Sequence, residues 1–492
     1  MRGPALLAAF GLCAGCSLAP HYEQPPMPAP PKSYQEQTGW KLAVPADAAA
    51  RGPWWTRYQD PQLDALEQQV TEANQNLKAA YARLLQARAQ TRIASSGYFP
   101  TVTANATAVR QKLSENSPNF FAGEPRFEND FNLNGAASYE IDLFGRVRNT
   151  VAGARATEQA SAGDLAALDL STHAELANDY FLLRGLDAEQ DLLDRTVTDY
   201  EQALTLTQNL YKGGAAALAD VQQAQAQLES ARTQAEDTRL RRVQTEHAIA
   251  VLVGREATGF HVEPRPLEAD VVLPPIDLGM PSQLLERRPD VAAAERRVAA
   301  ANAQIGVARA AYFPSFSLTG AIGWDSAHSS NWLSAPSEFW AVGPSGILTL
   351  FDAGLHRAQN AAARAAYDEQ VANYRTTALM AFQDVEDNLA ALRQLERESV
   401  SQAAAVAATQ GALDQANYRY KGGIITYLEV VVTANAALQA RLTAVDIQTR
   451  RITASVLLIR ALGGDWTPAG ETHAVANAGT GGSASSFDSS HR

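Results

Sequence analysis

Two short stretches hold the residues of this chain whose types and spacing suggest local chemistry: YKGGAAALADV at 211–221 and YKGGIITYLEVV at 420–431. Each joins a tyrosine and a lysine (Tyr211-Lys212, Tyr420-Lys421) to a glycine pair (Gly213-Gly214, Gly422-Gly423). Each then carries an acid, Asp220 or Glu429. A glycine pair inside a helix costs about 1 kcal/mol per residue relative to alanine, so it marks a turn. Thr426 and Glu429 have the spacing of a capping box for a returning helix, and Asp220 with Gln223 offers an acid near the equivalent start. That is the chemistry of holding a helix end, not of breaking bonds. Eight histidines are scattered, no HExxH or GxSxG occurs, and neither glycine pair ends in the Lys-Ser/Thr of a P-loop. The chain reads as a protein without catalysis, metal or cofactor.

A formal charge of −12, with no block of Lys or Arg, argues against nucleic acid as partner. Both cysteines fall in the first sixteen residues, MRGPALLAAFGLCAGC. Arg2, the apolar run Ala5 to Leu12 and the small residues Ala14 and Gly15 form a secretory signal, too short to remain as a membrane span. Its ending resembles the lipobox of bacterial lipoproteins, with Cys13 where that pattern usually has Leu. That resemblance makes Cys16 the acylated mature N-terminus, and Ser17 behind it favours sorting to the outer membrane.

The elements that position the two stretches come in duplicate. AQTRIASSGYFPTVT (89–103) answers to AQIGVARAAYFPSFS (303–317), DLFGRVRN (142–149) to TLFDAGLHRAQN (349–360), and VLVG (251–254) to ALGG (461–464). The order and offset match those of the YKGG pair, so the chain is an internal duplication of roughly two hundred residues per copy, too long for a solenoid unit. No proline occurs between Pro125 and Pro264 or between Pro344 and Pro468, and the composition there favours long helices. Leu176, Tyr180 and Leu183, followed by Arg184, match Val385, Leu389 and Leu392, followed by Arg393, on one amphipathic stripe. With a glycine pair near mid-tract, each copy should be a helical hairpin with arms of roughly 60–70 residues, about 90–100 Å long.

Before each tract the period drops to two. Phe131, Leu133, Ala137, Tyr139, Ile141 and Leu143 alternate with polar residues, as do Phe316, Leu318, Ile322 and Trp324. TVTANATAV (101–109) and a weaker segment around 339–351 complete two strand pairs, and Tyr98-Phe99-Pro100 and Tyr312-Phe313-Pro314 stop the helices before them. Four strands of about ten residues can cross a bilayer but cannot close a barrel, since the smallest outer-membrane barrels have about eight. Closure must come from several chains.

The lipobox followed by CSLAPHYEQP, the WW and DPQL at 54–63, the paired YFP segments, DLFGR, GMPSQLLERRPDVAAAE (279–295) and the twin YKGG turns together resemble the TolC-like outer membrane factors, and within them the lipoprotein, NodT-type efflux channels. The resemblance implies a mixed α and β membrane protein: a homotrimer sharing one 12-stranded outer-membrane β-barrel, four strands per chain, continuous with a long periplasmic α-helical barrel. It implies a passive exit channel of a tripartite efflux pump for small molecules, with a periplasmic adaptor (membrane fusion) protein and an inner-membrane transporter as partners. Gly213, Gly214, Gly422 and Gly423 then fall on adaptor-docking tips. Tyr211, Lys212, Asp220, Tyr420, Lys421 and Glu429 fall at the periplasmic aperture, where threefold symmetry would turn each carboxylate into a ring of three that favours cations. Val431-Val432-Thr433-Ala434-Asn435 stands where many members have an acidic stretch, so the ring rests on Glu429 or on Asp220 alone.

The expected plan is a signal peptide at 1–15, a lipidated Pro-rich tether at 16–53, repeats at 54–270 and 271–468, and a disordered tail at 469–492. The alternatives are an exit duct for type I protein secretion and, in another class, a soluble periplasmic coiled-coil scaffold or adaptor.

Overall fold

The computed structural model describes residues 17–26, 52–116, 126–268, 273–274 and 287–464. The signal segment, Cys16 and the tail lie outside them. Helices α1 (Pro61–Ala73) and α2 (Gln75–Ser96) lead into strands β1 (Thr101–Lys112) and β2 (Phe127–Ile141), then α3 (Arg146–Lys212) and α4 (Leu218–Leu252). The plan then repeats with α5 (Pro289–Ala310), β3 (Ser315–Ser326), β4 (Glu338–Ile347), α6 (Leu355–Lys421) and α7 (Tyr427–Ala461). Among the described residues no helix is long and apolar enough to cross a membrane.

The four strands form one antiparallel sheet in the order β1-β2-β3-β4, leaving β1 and β4 as edges. Residues paired across a ladder share a face, so the register assigns each side chain to one side. One face carries Val102, Ala104, Leu133, Tyr139, Leu318, Ile322, Trp340 and Val342; the other carries Thr103, Asn105, Asn134, Ser138, Thr319 and Ser345. The polar face is concave and borders an open depression of about 490 Å³ lined by Thr101, Thr103, Ser138 and Thr319 among others. The fourth strand is shorter than its sequence suggests. It ends at Ile347, and the apolar Leu350 and Phe351 behind it are exposed. Asp352 accepts from the backbone N–H of Gly354 (2.8 Å) and His356 (2.9 Å) to start α6, as Asp142 accepts from Val147 and Arg148 to start α3. An acid at a helix N-terminus satisfies donors that have no partner within the helix.

The hairpin arms are unequal, against expectation. α3 and α6 each run 67 residues, about 100 Å, whereas α4 and α7 return for only 35. Shorter helices complete the returning lanes. The Asn74 side chain caps α2 and donates to Leu252 O (2.7 Å), so the end of α4 abuts the start of α2. In the second copy Arg288, at the start of α5, donates to Ala461 O (3.4 Å) at the end of α7. Each lane is therefore two helices spliced end to end.

The largest core cluster lies where these splices meet α3, with Leu63, Val70, Leu176, Tyr180, Leu183, Ile249 and Ile452 buried. Asp60 caps α1 and takes hydrogen bonds from Tyr180 Oη (2.8 Å) and Arg184 Nη1 (2.5 Å), which keeps a buried carboxylate paired. Arg184 and Arg242 also donate to Arg265 O (3.2 Å) and Val262 O (2.9 Å), strapping the segment after α4 across the helices.

Candidate functional site

Both glycine-pair turns adopt the same geometry. Gly213 and Gly422 remain right-handed at φ −81°, and the left-handed step falls on the second glycine, Gly214 at +75° and Gly423 at +71°. Gly214 N–H donates to Tyr211 O (2.9 Å) and Ala215 N–H to Leu210 O (2.8 Å). Gly423 donates to Tyr420 O (2.9 Å) and Ile424 to Arg419 O (2.9 Å). These paired bonds satisfy the last carbonyls of α3 and α6 and make each turn a Schellman motif, whose left-handed residue favours glycine. A Cβ built on Gly214 or Gly423 would meet nothing within 4 Å, so the tips present bare backbone outward. Lys212 and Lys421 end their helices, where a cation suits the dipole.

The two acids are used differently. Asp220 accepts from the backbone N–H of Ala217 (3.1 Å), capping its own helix without help from Gln223. Thr426 makes no side-chain cap, so the expected capping box is not formed; Glu429 instead takes Arg419 Nη1 at 3.3 Å from the opposite arm. Arg419 is a tip residue that sequence reasoning passed over, although it lies directly before Tyr420 and Lys421.

Behind the turns one cluster joins both hairpins: Leu204, Ala224, Leu228, Ala416, Tyr427 and Val430, with Tyr420 packed against it. Tyr427 is 3% exposed, meets the Tyr420 ring at 5.3 Å, and donates to Gln227 Oε1 (3.4 Å) on α4. Burial pushes the Tyr427 hydroxyl up to about 12, so it stays a donor at neutral pH. Tyr211 faces solvent. Of the two tip tyrosines, Tyr420 packs between the hairpins and Tyr211 stands outside them. Tyr427 and Gln227 were missed because their burial depends on contact between hairpins rather than on spacing within one.

At the other end of the helices, Tyr98, Phe99, Tyr312 and Phe313 are partly to largely exposed where helices give way to strands. Residues 17–26 dock beside this junction. Ser17 Oγ donates to Asn149 Oδ1 (2.9 Å), Arg309 donates to Leu18 O (3.2 Å), Asn302 donates to Pro20 O (2.9 Å), and Gln24 donates to Tyr374 Oη (2.8 Å). A Pro-rich stretch expected to bury little is thus seated along α5, with Tyr22 packed into a second core cluster.

A sheet with one apolar and one polar face, carried on long helices, defines a membrane channel of the outer-membrane type. Known proteins narrow the class further: residues 66–255 and 280–464 match the outer membrane efflux protein family, and the chain belongs to it. It is 32% identical to the probable efflux pump outer membrane protein TtgC of Pseudomonas putida over 465 residues, covering 92% of this chain and 94% of that one. It is 33% identical to the outer membrane protein OprJ of Pseudomonas aeruginosa over 471 residues, covering 95% and 97%. Among solved structures it is similar to the CmeC outer membrane channel of Campylobacter jejuni, with a TM-score of 0.84 at 25% identity, covering 91% and 95%. The chain is an outer-membrane efflux channel with a periplasmic helical portion, and it is not an enzyme.

Proposed function

We infer that three copies of the chain close one twelve-stranded barrel. The observation that carries this is the four-stranded sheet itself, apolar on one face, polar on the concave other, with both edges unpaired. Unpaired backbone groups cannot face hydrocarbon, so the edges must meet other chains. Twelve residues at about 3.3 Å, tilted about 45°, span about 28 Å, which suits the apolar band of an outer-membrane barrel. The exposed aromatics at the helix–strand junctions suit its periplasmic boundary.

The duct is the exit of a tripartite pump for small molecules. It is passive, with energy supplied by an inner-membrane transporter and contact made through a periplasmic adaptor. The names of TtgC and OprJ support the pump. Gly213, Gly214, Gly422 and Gly423 are the docking surface, a role supported by their open, side-chain-free turns. Tyr211, Lys212, Asp220, Tyr420, Lys421 and Glu429 border the aperture. Cys16 carries the lipid, a role supported by the docking of the next residue, Ser17, beside the start of α3. Replacing Cys16 with Ser should abolish labelling by a clickable fatty acid. The proposed role is tested by deleting the gene and restoring it on a plasmid: the wild-type chain should restore efflux and co-purify with an adaptor, and restoration of protein secretion alone would favour the type I duct.

A further inference from the structure

If three chains close one barrel, the reading on which this inference rests, the sheet also determines the seam between neighbouring chains. The three ladders are unbroken, so rungs connect Ala106 through Leu133 and Trp324 to Glu338, all on the apolar face. In a closed barrel with strands about 4.8 Å apart and tilted about 35–45°, a line drawn across the strands climbs along them. Crossing four strands climbs about four to six residues. Alternation of faces permits only an even step. The residue opposite Glu338 on the next chain's β1 therefore stands four or six beyond Ala106, which is Arg110 or Lys112. A climb in the other sense would run nearly all of β4 past Thr101 and into α2, leaving it unpaired. Both allowed registers give every residue from Glu338 to Ile347 a partner on β1.

We propose that Glu338 of each chain forms an ion pair across the seam with Arg110 or Lys112 of the neighbouring chain, and that this pair sets the register in which the barrel closes. Arg110 Cζ and Lys112 Nζ each lie 5.9 Å from the Phe127 ring centroid, which holds both cations on the apolar face at the end of the sheet far from the helices. Among the described residues neither cation nor Glu338 has an ion-pair partner within its own chain. The rest of that face along the two edges is uncharged: Val102, Ala104, Ala106 and Ala108 on β1, and Trp340, Val342, Pro344 and Gly346 on β4. Three successive alanines specify register weakly, because a slipped strand loses little packing. Opposite charges at one end supply what the alanines lack, and like charges there would count against wrong registers.

Cysteine pairs test this in intact membranes. Glu338→Cys combined with Arg110→Cys or with Lys112→Cys should give covalent trimers on oxidation. Glu338→Cys with Gln111→Cys should not, because Gln111 faces the lumen. Separately, Glu338→Lys should lower the yield of heat-resistant trimer, and adding Arg110→Glu or Lys112→Glu should restore it. Trimers that form but cross-link only through Gln111→Cys, or through none of the three, would overturn the seam and leave the channel standing. A wild-type chain that forms no trimer would overturn both.

Discussion

The two copies of the helical hairpin share a backbone and differ in what covers it. α3 matches α6 and α4 matches α7 residue for residue in length, and both turns put their left-handed step on the second glycine. Along the helices the first copy is the better covered. Tyr180 and Leu183 are buried beneath α1 and the strapped segment, while their counterparts Leu389 and Leu392 stay half-buried; Leu176 and its counterpart Val385 are buried alike. At the tips the bias reverses: Leu218 is 52% exposed, while Tyr427, in the equivalent position, is 3% exposed. Duplication preserved the residues that set backbone geometry. Side-chain burial follows the neighbour, so the same substitution in the two copies should have different effects.

The sharpest contrast is Tyr427→Ala against Leu218→Ala. Removing a buried aromatic from the cluster that joins the hairpins should destabilise the tip by about 3–5 kcal/mol, whereas truncating an exposed leucine should stay within about 0.5 kcal/mol. Hydrogen exchange localised to residues 200–230 and 410–440 would measure both, and equal effects would break the comparison. Next come the glycines, where the copies should agree. Gly214→Val and Gly423→Val place a branched side chain in the left-handed region and should each cost about 1–2 kcal/mol or more, with loss of adaptor cross-linking while trimers persist. Gly213→Ala and Gly422→Ala should be neutral or mildly stabilising, because both positions are already helical.

The acids should separate again. Asp220→Ala removes a cap and should cost about 1 kcal/mol whatever the salt, while Glu429→Gln breaks an exposed pair with Arg419 worth about 0.5 kcal/mol that fades at high ionic strength. Both acids are expected to matter jointly for permeation. Asp220→Asn with Glu429→Gln should reduce cation selectivity in planar bilayers, and unchanged selectivity would put the filter elsewhere along the duct.

A buried pair in the first copy adds a contrast that is read in pH. His173 Nδ1 lies 2.5 Å from Glu67 Oε2, with the ring stacked on Trp55; the second copy has Phe382 in the equivalent place. Burial opposes the charged imidazole, but the hydrogen bonds its ring N–H groups donate to Asp169 and Glu67 outweigh it and raise His173 to about 9. Burial raises Glu67 to about 7. Both groups hold protons more tightly in the folded chain, so the stability they supply is full at low pH and is lost as pH rises through 7 and then 9. Thermal unfolding should come earlier at pH 10 than at pH 6, and His173→Gln should flatten that slope.

Much of this was legible in the residues. The alternation through Phe131–Leu143 and Phe316–Trp324 marks the inner strands, and the register puts those residues on one face as their period requires. β1 is legible from threonines and valines despite its alanines, whereas β4 was blurred because Leu348, Leu350 and Phe351 extend the apolar run past the last rung. The turns were legible from glycine, but not the short return of α4 and α7. Helix-forming composition continues to the end of each tract, and the splice to α2 is a contact between Asn74 and Leu252 that no local pattern encodes. The tip acids were visible as acids. Which would cap and which would pair depended on Arg419 across the turn, a neighbour in space.

The central claim is that one chain supplies a third of a barrel. The mass of the detergent-solubilised particle, measured by light scattering with the detergent contribution subtracted, tests it most directly. Three chains per particle, stable on dilution, is the predicted result; a folded, monodisperse single chain would leave β1 and β4 as permanent open edges and would contradict the claim.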